Sequence, residues 1–182
     1  LGLAQADGAT VWETPLEVEY QYAQPILVGA DLVTGGARSH LARLRLADGS
    51  TQWHVGVLEG RYAAGLASDG QRLYTASPSG FVQSFDPTTG DEQWRVETGA
   101  DLLDMCPYER GIASMLAAPT RVGSALLVGA NDGILRVLDP GTGQVRAQAD
   151  FGAPLTAPPA VLGDGGFVLM AWDGRILRYA PA

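Results

Sequence analysis

Lysine is missing from this chain altogether: its 12 basic residues are all arginine. That excludes chemistry through a lysine Schiff base. Cysteine occurs once, at Cys106, which excludes an internal disulfide and a cysteine-built zinc site. Histidine occurs only twice, at His40 and His54. The two stand at different places in the pattern described below, and no spacing of serine, histidine and acid marks a triad. Neither is assigned a catalytic role. No apolar run approaches the ~20 residues that cross a bilayer as a helix. The opening residues LGLAQADG lack a basic stretch followed by an apolar segment, so no targeting peptide is read there. No segment keeps a 3.6-residue period between caps, which argues against a helical fold.

What the chain does have is turn formers and apolar residues. It carries 24 Gly and 11 Pro in 182 residues, with 46% hydrophobic side chains. The apolar fraction excludes a disordered chain, and the regular punctuation points to many short strands. The net charge is −8, and the arginines are scattered. That field repels phosphates and argues against nucleic acid as a ligand.

Trp12, Trp53 and Trp94 are each 41 residues apart, and each follows a Gly by four positions: Gly8, Gly49 and Gly90. A fourth turn, DPGTG with Gly143, has Ala147 at the tryptophan position, after about 12 inserted residues. Repeats of this period imply a single solenoid or propeller segment across residues 1–182. The units run over about residues 12–46, 53–86, 94–139 and 146–180. Each is expected to hold four strands, a to d, with the tryptophan on strand a. Residues 1–5 are expected to be a leftover outer strand of a preceding unit. Four short strands per ~40 residues predict an all-β propeller of four-stranded antiparallel blades. In that arrangement a recurring Trp fills the wedge between neighbouring sheets, and the Gly before it permits a close turn. Trp12, Trp53, Trp94, Gly8, Gly49, Gly90 and Gly143 are therefore assigned to structural docking.

The stretch DPTTGDEQW, with Asp86, Thr89, Gly90 and Trp94, resembles the tryptophan-docking pattern of the PQQ-like propeller repeats. This family includes quinoprotein dehydrogenases, BamB-type assembly factors and sensor domains. The turn at Asp139, Thr142 and Gly143 keeps the first part of the pattern, and the turns before Trp12 and Trp53 are shortened to Asp-Gly. The resemblance implies a ring of seven or eight blades, of which about four are present here. The other blades would come from the same chain or a second copy. A four-bladed ring is a third arrangement.

Quinoprotein dehydrogenases of this family hold their cofactor with a vicinal cysteine pair, a tryptophan and a calcium site. One cysteine cannot supply that pair, and the NDG at Asn131-Asp132-Gly133 reads better as a hairpin turn than as a calcium loop. No cofactor, metal or catalytic residue is assigned. The resemblance implies a non-catalytic, protein-binding scaffold, extracytoplasmic in a bacterial cell envelope; part of a PQQ-dependent dehydrogenase is the alternative.

Strands that alternate in direction place the a–b and c–d connections on one face. That face is the expected partner surface, carrying Arg38 and His40, then Tyr108, Glu109 and Arg110 of the inserted loop. Asn131, Asp132, Trp172 and Asp173 complete it. Trp172 stands on a turn tip where the other units have small or polar residues.

Overall fold

The computed structural model describes residues 2–3, 6–16, 24–36, 40–56, 65–77, 80–102 and 117–180. Every regular element among them is a strand. β1 (Gly2–Leu3) and β2 (Thr10–Trp12) form a two-stranded sheet. Blade 1 follows, with β3 (Ile26–Val28), β4 (Asp31–Gly36), β5 (His40–Arg45) and β6 (Thr51–Gly56). Blade 2 holds β7 (Gly65–Ser68), β8 (Leu73–Ala76), β9 (Phe81–Phe85) and β10 (Glu92–Glu97). Blade 3 holds β11 (Thr120–Val122), β12 (Ala125–Gly129), β13 (Ile134–Leu138) and β14 (Val145–Asp150). Blade 4 has three strands, β15 (Ala160–Val161), β16 (Phe167–Met170) and β17 (Ile176–Tyr179). All pairings are antiparallel between sequence neighbours, so each sheet is a meander.

The tryptophan strand differs from its expected place. β6 pairs with β5, and β10 pairs with β9. The Trp strand is thus the fourth strand of its sheet, not the first. Trp12 likewise pairs across from Gly2, so the opening strand shares a sheet with the first tryptophan. The reason is local. An Asp-Gly turn is too short to cross between sheets and closes a hairpin between the two strands it joins. The repeat period is unchanged; the division between blades falls after the tryptophan strand.

Three core clusters show how the sheets face one another. Val28, Val33 and Leu41 of blade 1 pack with Leu66, Leu73 and Phe85 of blade 2. Tyr74, Val82 and Trp94 of blade 2 pack with Leu126, Val128 and Leu138 of blade 3. Leu127 and Leu135 of blade 3 pack with Leu169 and Ala171 of blade 4. Each strand therefore feeds two interfaces: Leu73 points to blade 1 and the adjacent Tyr74 to blade 3. This explains why LYTA and ALLVG read as continuous apolar runs without clean alternation, since both faces are buried. The fourth strands form the outer edge, and β14 is exposed along its whole length. Sheets stacked face to face in chain order, with their fourth strands outermost, are propeller blades.

Candidate functional site

The tryptophans dock forward, onto the turn of the next sheet. The Trp12 ring lies over Gly49, where an added Cβ would stand 2.5 Å from its Cε3. Trp53 lies over Gly90 and Trp94 over Gly143, where an added Cβ would meet ring atoms at 3.1 Å and 2.7 Å. Each indole N–H donates to a carbonyl of the same turn: Leu46 O at 2.8 Å, Pro87 O at 3.0 Å and Pro140 O at 3.0 Å. These glycines hold φ of +71°, +79° and +74°, a region that favours glycine. An aspartate caps each turn: Asp86 and Asp139 open theirs, while Asp48 stands just before the glycine of a turn that opens at Arg45. Asp48 accepts from the Ser50 N–H, Asp86 from Thr88 and Thr89, and Asp139 from Gly141 and Thr142. The Ser50 bonds hold the Asp48 carboxyl below its ordinary value, and the Arg146 guanidinium does the same for Asp139. Gly8 also has positive φ, but nothing lies within 4 Å of its would-be Cβ. Ala147, at the fourth tryptophan position, sits opposite Val137 and lines a cleft of about 360 Å³ with Phe167 and Tyr179, whose rings stack at 4.7 Å.

Antiparallel alternation puts the docking turns on one face. The β4–β5, β8–β9, β12–β13 and β16–β17 turns share the other face with the links between sheets. The residues expected to meet a partner divide into four groups. Arg38, Tyr108, Glu109 and Arg110 lie outside the described residues, as does Cys106. Asn131 and Asp132 are on the β12–β13 turn but buried, at 0% and 7% exposure, so they form no contact surface. His40 is half-buried at the start of β5. Trp172 and Asp173 are on the exposed β16–β17 turn, with Trp172 57% accessible.

Asp132 is instead a lock. Its carboxylate takes two bonds from the Arg136 guanidinium, the shorter at 2.6 Å, one from the Ile134 N–H at 3.0 Å and one from the Gly99 N–H at 2.7 Å. Gly99 belongs to the link leaving blade 2, so this one side chain ties that link to blade 3. Burial pushes the carboxyl up, but the Arg136 and backbone bonds outweigh it and hold it below its ordinary value. The sequence reading missed the pairing; its signal is the Arg that follows the turn Asp by four positions.

Hydrogen bonds from both backbone and side chain fix the Trp172 turn. Trp172 N–H donates to Pro154 O at 2.9 Å, and Arg175 bridges the Asp173 carboxylate and Phe151 O. Beside it, Met170 and Ile176 face each other across β16 and β17 at 54% and 68% exposure. Phe167 and Leu169 point to blade 3, so Met170 and Ile176 point away from it. In blades 2 and 3 that side packs on the next sheet.

No helix of the described residues is long and apolar enough to cross a membrane. Residues 1–157 match the family described as outer membrane protein assembly factor BamB. Over 181 residues the chain is 31% identical to the outer membrane protein assembly factor BamB of Alkalilimnicola ehrlichii, covering 93% of this chain and 43% of that protein. The chain thus spans less than half the length of the curated relatives it matches. The crystal structure of BamB from Moraxella catarrhalis superposes with a TM-score of 0.66 at 20% identity, over 83% of this chain and 43% of that one. The quinohemoprotein alcohol dehydrogenase ADHIIG of Pseudomonas putida HK5 gives 0.65 at 17% identity, over 87% of this chain and 30% of that one.

Proposed function

The chain belongs to the family of the outer membrane protein assembly factor BamB, and from that premise we propose that it is a non-catalytic binding segment of a cell-envelope propeller. Its partner is a protein that takes part in outer membrane protein assembly. The binding surface is the loop face bearing the β16–β17 turn. The observation that carries this reading is Trp172. Three of the four tryptophans are spent on docking; the fourth stands more than half exposed on a turn that its own hydrogen bonds fix. Rigid exposed aromatics on loops are strong anchors for protein contacts. The Met170 and Ile176 side has a different role. It is the kind of face that blades 2 and 3 cover with the next sheet, and it takes a further blade, from the same polypeptide or a second copy.

The quinoprotein reading finds no support in the residues. Its fold likeness lies at 17% identity and carries the fold alone. One cysteine cannot make the vicinal pair that the resemblance implies for that class. The test is capture of envelope proteins by the full-length protein, with the captured set identified. Trp172→Ala should cut capture of an outer-membrane assembly component at least ~10-fold, the scale of a hot-spot loss. Thermal stability of Trp172→Ala should be unchanged. Full capture by that variant refutes the face. Dye-linked alcohol oxidation after addition of PQQ and Ca²⁺ refutes the non-catalytic role.

A further inference from the structure

The only two histidines of the chain stand side by side. His40 opens β5 and His54 lies in β6, and their ring centroids are 5.1 Å apart at 36°. The register explains the contact. His40 pairs with Gly56 and Ala42 with His54, so the two histidines are diagonal neighbours on one face of blade 1. Diagonal positions are within reach of long or aromatic side chains. Gly56, directly opposite His40, has no side chain, and its would-be Cβ would touch His40 Nε2 at 3.7 Å. The ring of His40 leans over that position toward His54. Leu41 and Val55, the alternate residues, turn into the core between blades 1 and 2, which leaves both imidazoles on the opposite side. His54 is exposed and His40 is half-buried.

We propose that His40 and His54 form a surface chelate for a divalent transition-metal cation, Cu²⁺ or Zn²⁺. Imidazole nitrogen suits these ions, and two ligands on a stiff hairpin bind with little ordering cost. Among the described residues no third ligating side chain completes a cluster. The Irving–Williams order places Cu²⁺ above Zn²⁺ at such a site, and hard cations that prefer oxygen are rejected. The site does not depend on the proposed partner contact at Trp172.

The experiment uses the chain with any affinity tag removed, titrated calorimetrically with CuCl₂, ZnCl₂ and CaCl₂. The expected result is one Cu²⁺ site per chain, weaker Zn²⁺ binding at the same site and no Ca²⁺ heat. Copper electron paramagnetic resonance should show nitrogen ligation. His54→Gln and His40→Gln should each weaken Cu²⁺ binding by about tenfold or more, since losing a ligand costs no less than losing an outer-sphere partner. Both variants should melt at the wild-type temperature without metal. Absence of a Cu²⁺ site overturns the proposal. So does Cu²⁺ affinity that survives His54→Gln, a change at an exposed position that the fold does not need.

Discussion

Gly123 and Gly143 both sit in tight turns of blade 3 with positive φ, +54° and +74°, yet they do different jobs. Nothing lies within 4 Å of a Cβ at Gly123, whereas one at Gly143 would meet the Trp94 ring at 2.7 Å. Alanine at Gly123 should cost only the left-handed backbone penalty, about 1–2 kcal/mol. Alanine at Gly143 adds overpacking against the indole, for a total of about 2–5 kcal/mol. Urea denaturation of the two variants checks this, and equal losses would show that the Trp94 contact is not tight. The spacing of Asp, Gly and Trp was readable in the sequence, as was the need for a wedge between sheets. Which Gly meets which Trp was not. Trp53 touches Gly90, 37 positions on, and leaves its own Gly49 to Trp12. A local spacing marks the turn; the contact that explains it is made across the sheet boundary and has no local signature.

Asp132 shows the same limit for a whole element. The letters NDG announce a hairpin turn, and the structure has one, closed by the Gly133 N–H on Ala130 O at 3.1 Å. Its burial is decided elsewhere, by the link leaving blade 2, where Leu102 N–H reaches Asn131 O and Gly99 reaches Asp132. Removing the carboxylate by Asp132→Ala strands the Arg136 guanidinium at 9% exposure and should cost about 3–5 kcal/mol. The pH dependence follows from the direction of the shift. The Asp132 carboxyl lies below its ordinary 3.8 in the folded chain. Its stabilisation is complete above that unfolded value and fades as pH falls through the folded one. Chemical denaturation between pH 7 and pH 2 should show stability falling in acid, with a shallower fall in Asp132→Ala. An identical slope in the two proteins would place the acid sensitivity at other depressed carboxyls, such as Asp69 and Asp164. The order of strands in each sheet was likewise open in the sequence, because alternation alone does not say where one meander stops. The tight Asp-Gly turn, read as an obligatory hairpin, would have placed the tryptophan strand last.

At the scale of the molecule, stability is a chain of neighbouring interfaces. Blade 2 meets blade 1 through one apolar cluster and blade 3 through another, and no described cluster joins sheets further apart. Repeat arrays of this kind unfold as coupled units, and their cooperativity depends on the interface terms. Trp94 is central to one such term. It is 9% exposed, its ring is 6.0 Å from that of Tyr74, and its indole N–H holds the Pro140 carbonyl of blade 3. Trp94→Ala should remove about 3–5 kcal/mol, the range for large aromatics lost from a core. It should do so by weakening the coupling of blade 2 to blade 3, leaving each sheet's own hairpins intact. Unfolding followed by tryptophan fluorescence and by far-ultraviolet circular dichroism should then give two separate midpoints, where the parent chain gives one. Trp172→Ala, which removes a ring no neighbouring sheet covers, should leave the transitions coincident and the stability within about 0.5 kcal/mol of the parent. If Trp94→Ala lowers the midpoint yet stays cooperative by both probes, the four blades melt as a single core and the nearest-neighbour account of this propeller is wrong.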